Sequence, residues 1–167
     1  MSSPPSFEAI RHWSTFGQRG EPPKSRVTPP EGRELKPFSK PLTVPWEGHI
    51  PAADLPLVLN GFAAREMEDK WNVYTDGPDA QGNIVVGMYR SWTGHKNVEV
   101  KIAVALTDDG ELAGEDARVT DITWEGDTAI LGVPTEEFAK EMAEGVFSWV
   151  LNVNLKVSSQ EEGVNGD

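Results

Sequence analysis

Arg90-Ser91-Trp92-Thr93-Gly94-His95-Lys96 is the densest run of chemically capable side chains in the sequence. A guanidinium binds anions through a planar fork of donors. An indole gives a flat face on which a ring or a cation can lie, and an imidazole exchanges protons near neutral pH. Side by side, these groups suit anion binding with stacking, or anion binding with proton transfer. Ser91 and His95, with Asp76 or Asp79 upstream, also contain the residue types of a hydrolytic triad. Ser91, however, falls inside a strand pattern with no glycine pair around it, unlike the strained elbow that presents such a nucleophile. The acidic loops 76–79 and 108–116 carry oxygens of the kind calcium takes but not at EF-hand spacing, and turn formation accounts for them. Nothing matches a phosphate-cradling glycine loop or a dinucleotide fingerprint. The sequence assigns no catalytic residue, and no metal or cofactor is expected.

The elements around this run decide how it is presented. Arg90 and Trp92 share parity with Ile84, Val86 and Met88, so a regular strand over 84–92 points all five toward one apolar surface. Two readings follow. In one, Arg90 binds an anion and Trp92 stacks on a flat ligand, with Trp71, Tyr89 and His95 nearby. In the other, Arg90 sits at the sheet edge, bonded to a carboxylate or to loop carbonyls, with its stem covering a tryptophan.

Four more strands are expected. Residues 70–75 alternate, and 76–83 are dense in turn formers. Residues 97–106 put Val98, Val100, Ile102, Val104 and Leu106 on one face. The strand at 117–125 changes parity between Val119 and Ile122, which predicts a β-bulge near Thr120-Asp121. Gly126-Asp127 suits a hairpin turn leading into a fifth strand at 128–133. Thr135 is an N-cap candidate, with Glu136 and Glu137 at the positive end of the helix dipole. Phe138, Met142, Val146, Trp149, Val150 and Val153 form a helical stripe, predicting a helix to Leu155.

These elements predict an α+β fold: a five-stranded antiparallel β-meander with a C-terminal amphipathic helix packed on one face. Residues 1–45 hold nine of the thirteen prolines and read as a Pro-rich, mostly disordered arm. Within it Phe7, Ile10, Trp13 and Phe16 recur at helical spacing and suit a docking element. The single domain covers 46–157, with 44–64 as an irregular strap over the core, and 158–167 is a polar tail. Five strands make a sheet roughly 20 Å wide, whereas one helix is about 10 Å across. Part of a face is left for solvent, a ligand or a second copy in a homodimer.

Charge narrows the partners. The chain carries −12 overall; residues 1–45 hold seven Lys or Arg against four Glu, and the rest of the chain is net −15. Such a domain repels nucleic acid and anionic membranes and suits a basic protein. The chain has no cysteine, which removes disulfides and thiol chemistry. No apolar run is long enough for a membrane span, and charges and prolines occupy the place of a signal peptide's apolar stretch. A cytoplasmic location is expected.

The stretch from Asp69-Lys70-Trp71 through Arg90-Ser91-Trp92-Thr93-Gly94 resembles a small uncharacterised domain with an Arg-Ser-Trp-Thr-Gly hairpin that occurs beside ADP-ribose-processing modules. The resemblance covers about residues 55–155 and brings no catalytic residues with it. It implies a nucleotide-like ligand or a toxin-immunity setting. Three functional readings result. The first is a non-enzymatic binding or interaction module for a small anionic or nucleotide-like ligand or a partner protein, with its site at Arg90, Trp92, Trp71, Tyr89 and His95. The second is a small enzyme with a pocket in the concave sheet, using Arg90 and His95. The third is an acidic inhibitor or immunity-type protein that covers a basic partner.

Overall fold

Val98, Val100 and Ile102 set the centre of the fold. In the computed structural model, which describes residues 7–32 and 35–157, they are buried along β4 (Lys96–Ala103). β4 pairs with β3 (Asn83–Arg90) on one side and β5 (Ala117–Glu125) on the other, and β2 (Trp71–Asp76) lies outside β3. Beyond β5 come β1 (Pro41–Ile50) and the two-residue β6 (Lys156–Val157). The fold is α+β, with a six-stranded antiparallel sheet in the order β2-β3-β4-β5-β1-β6.

Six strands replace the expected five, for two physical reasons. Residues 44–50, expected as an irregular strap, are the greater part of β1. Pro45 pairs with Asp121 and the next pair is Gly48 with Val119, so this proline stands at an irregularity in the ladder. β6 pairs only with Gly48 and His49, which leaves the proline-bearing half of β1 as an outer edge, where a missing N–H is tolerated. Conversely, residues 128–133 are not a strand. The Asp127 carboxylate accepts from Ala129 N at 3.0 Å, and its carbonyl accepts from Ile130 N and Leu131 N. A short polar side chain thus offers the backbone a turn in place of a ladder. Nor do Gly126 and Asp127 make a two-residue hairpin, because Gly126 N donates to Lys40 O at 2.8 Å.

The bulge expected near Thr120-Asp121 is present: Lys101 pairs with Asp121 and Ile102 with Val119, leaving Thr120 as the extra residue. A second irregularity separates β3 from β4. Met88 pairs with Val98 and Tyr89 with Lys96, so Asn97 has no partner residue.

Around the sheet, α2 (Leu55–Asn60) buries Leu55 and Val58. α3 (Glu136–Gly145) packs against β4 and β5. Its N-cap is Thr135, whose Oγ1 accepts from Phe138 N at 3.2 Å. It continues as one π-helical turn, Val146–Val150, and stops short of the expected Leu155, with Asn152 at φ 59°. Met142, Val146, Phe147 and Val150 are core, while Phe138 and Trp149 lie half-buried at its margin.

Described residues of the segment 1–45 meet the domain through both main chain and side chains, among them Gln18, whose Nε2 donates to Asp69 Oδ1 at 2.9 Å, and Arg26, whose Nη2 donates to Gly77 O at 2.8 Å. α1 (Phe7–Phe16) ends beside α3, where Gly145 leaves room for the Phe16 ring; a Cβ there would stand 2.1 Å from it. Trp149 Nε1 donates to Gly17 O at 2.9 Å, and Gly20 N donates to Trp149 O at 2.9 Å. Trp13, one of the expected docking stripe, is 47% exposed. The side chains of Phe7 and Ile10, and residues 1–6, lie outside the described ones, as does the polar tail 158–167. Farther on, the buried Glu125 carboxylate ties the entry to β1 to the end of β5. It accepts from Ser39 N at 2.7 Å, Lys40 N at 2.8 Å and Asp127 N at 3.1 Å. Burial alone would raise its pKa; the three N–H groups outweigh that and hold it below the ordinary glutamate value. Among the described residues no helix is long and apolar enough to cross a membrane.

Candidate functional site

The β3–β4 turn presents the candidate residues. Gly94 N closes back on Arg90 O at 2.9 Å and Arg90 N takes His95 O at 3.0 Å. Gly94 adopts φ 76°, a conformation open to glycine at no steric cost. From the side, Lys36 N donates to Gly94 O and accepts, through its carbonyl, from Lys96 N, both at 2.9 Å. The turn is therefore held at both strands and from outside.

Arg90 closes β3 on the core-facing side. Its guanidinium carbon lies 4.7 Å from the Trp71 ring centroid. Nη1 donates to Thr15 O at 2.7 Å and Nη2 to Ser14 O at 3.2 Å, at the C-terminal end of α1, where a helix dipole favours a cation. Trp71, fully buried, sends its Nε1–H to the same Thr15 carbonyl at 2.8 Å. Burial lowers the Arg90 pKa from its usual value. The carbonyl-bonded, tryptophan-covering arrangement is thus present, and two of five guanidinium donors are committed to it. Arg90→Met should accordingly lower stability by about 1.5–3 kcal/mol, the range for hydrogen bonds to a charged group. Denaturant melts of both proteins measure it; an unchanged midpoint would mean that the α1 carbonyls are not needed to hold this side chain.

A cleft of about 600 Å³ opens beside this pair. Lys70, Arg90, Trp92, Thr93, His95 and Asn97 line it, and Ala129 and Ile130 of the turn after β5 complete its wall. Trp92 stands at its lip, 67% exposed. Asn97, the bulged residue of β4, is 4% exposed. Among the described residues its Oδ1 and the His95 Nδ1 are buried polar atoms with no hydrogen-bond partner. Such atoms are rare in folded proteins, and each costs about 1–3 kcal/mol.

Of the residues singled out from sequence, Arg90, Trp92 and His95 come together here, and Trp71 supports Arg90 from below. Tyr89 does not join them. Adjacent strand residues point to opposite faces, and Tyr89 lies on the other side of the sheet, with its ring 5.7 Å from Tyr74 and 5.8 Å from Lys96 Nζ. Burial first, then Glu99 and Asp76, raises its pKa. Ser91 Oγ donates to Asp69 O at 2.8 Å, and the Asp79 carboxylate accepts from Gln81 N and Asn83 N of its own loop, both at 2.9 Å. Lys70, Asn97 and Ile130 were not picked out from sequence. Lys70 stands beside the quoted Trp71, whereas the position of Asn97 depends on a strand pairing and that of Ile130 on a turn.

No protein-family model, curated protein or solved structure matches the chain.

Proposed function

We propose that the protein is a non-enzymatic binding module, and that the cleft between the β3–β4 turn and the turn after β5 takes a small anionic ligand with a planar ring. The observation that carries this reading is the cleft itself, in which Lys70 and Arg90 lie beside a tryptophan exposed at its lip. Charge supports the anion: a chain of net charge −12 gathers Lys70 and Arg90 along one cleft. Trp92 adds a stacking face.

Native mass spectrometry of freshly purified protein tests this directly, and reads the oligomeric state at the same time. The expected result is a small-molecule adduct on the wild type that is absent from Trp92→Ala, with the variant's stability within about 0.5 kcal/mol of wild type because the side chain is exposed. A bare wild-type mass, together with tryptophan fluorescence unmoved by a panel of anionic aromatic compounds, would remove the reading.

A further inference from the structure

Arg90 lines the cleft, yet Ser14 and Thr15 of α1, which do not line it, hold the two end nitrogens of its guanidinium. The consequence rests on the cleft being an anion site. Two successive main-chain carbonyls set two oxygens before the guanidinium fork, as a carboxylate or a phosphate does. The carbonyls are neutral, whereas an oxyanion adds the attraction between opposite charges. An oxyanion that takes the same fork must replace them.

The chain after α1 is fixed independently of the helix. Trp149 Nε1 donates to Gly17 O at 2.9 Å, Gln18 N to Glu68 O at 3.0 Å, and Gly20 N to Trp149 O at 2.9 Å. Gly17, at φ 73°, joins this fixed run to α1, and glycine is the residue best able to change conformation there. Among the described residues, α1 itself is held at its C-terminal end. Arg90 and Trp71 donate to its last carbonyls, and the His12 ring leans on Trp149 at 4.8 Å. The Phe16 ring fills the space over Gly145, where an added Cβ would overlap it. Release of α1 costs the Trp71 N–H its carbonyl, for which water can substitute. That exchange, with the loss of the Phe16 contact, sets how firmly α1 stays docked.

We propose that α1 is a displaceable clamp on the anion site: docking of α1 and binding of an oxyanion compete for the end nitrogens of Arg90. Each then weakens the other by the same factor. Gly145→Ala tests this from outside the cleft. Alanine favours the helix more than glycine does, while its Cβ overlaps the Phe16 ring and so pushes α1 away. Hydrogen exchange at residues 12–16 reports whether α1 is loosened. Should Gly145→Ala fail to fold or fail to loosen it, Phe16→Ala takes its place with the same expectation. Calorimetric titration of the full chain uses phenyl phosphate, an oxyanion on a planar ring. The loosened variant should bind it about fivefold or more tighter than wild type, the lower end of typical coupling between sites. Saturating phenyl phosphate should in turn speed exchange at residues 12–16 of wild type, while the amides of Gln18 and Gly20 keep their protection. Equal affinity in the two proteins, or weaker binding by the variant, would overturn the clamp and leave the anion-site reading standing. So would bound phenyl phosphate that leaves exchange at α1 unchanged. No binding by either protein would overturn the clamp too, and the adduct seen or not seen by native mass spectrometry then judges the binding module separately.

Discussion

Glu125→Gln should lower stability by about 3 kcal/mol at neutral pH, because hydrogen bonds to a charged acceptor are worth roughly 1.5–3 kcal/mol each and the amide cannot accept all three. Ser39 N, Lys40 N and Asp127 N converge on the carboxylate. Glutamine retains one acceptor oxygen and turns an NH2 toward a cluster of N–H donors. The same site makes wild type acid-sensitive in a definite direction. Its folded pKa is held below the unfolded value, so the contribution is full above the unfolded pKa of roughly 4.3 and is lost as pH falls through the folded pKa. Urea melts at pH 7 and pH 3 should bring wild type and variant closer together at the lower pH. A gap that stays constant would place the carboxylate outside this role.

Trp71→Ala should cost about 3–5 kcal/mol, the range for large-to-small aromatic changes in a core. The side chain is fully buried, carries the Arg90 guanidinium on its face and holds Thr15 O through its N–H. Trp71→Phe separates these roles: it keeps most of the apolar contact and removes the donor, so the loss should shrink to about 1 kcal/mol. Guanidinium melts of the three proteins give the series. A loss below about 1 kcal/mol for the alanine variant would mean that this end of the sheet is not part of the cooperative core.

The meander was legible because its signals are local. Alternation from Val98 to Ile102 placed β4, the parity change at Val119–Ile122 located the Thr120 bulge, and Thr135 with the two glutamates marked the start of α3. β1 was hidden by Pro41 and Pro45, which read as strand breakers until their position on a sparsely paired outer edge is known. Ala129-Ile130-Leu131 reads as strand, and only the competing hydrogen bonds to Asp127 make it a turn. The candidate site was half legible. Arg90, Trp92 and His95 are contiguous and of suggestive types. Asn97 counts as an ordinary outward strand residue until the offset between Met88–Val98 and Tyr89–Lys96 is seen. The partners of Arg90 are main-chain carbonyls at Ser14 and Thr15, which no side-chain pattern announces.

The position of β1 next to β5 has a consequence for how the chain assembles. Each hairpin of the β2–β5 meander closes between neighbours in sequence, but Leu42 pairs with Trp124 and Ile50 with Ala117. The entropy of closing that loop must be met before the β1 ladder contributes anything. During synthesis Trp46, buried in the finished core, leaves the ribosome long before its sheet neighbour exists. The nascent chain must therefore carry β1 unpaired until β5 emerges, and the meander is the part able to form ahead of it, as the template on which β1 and then β6 are laid.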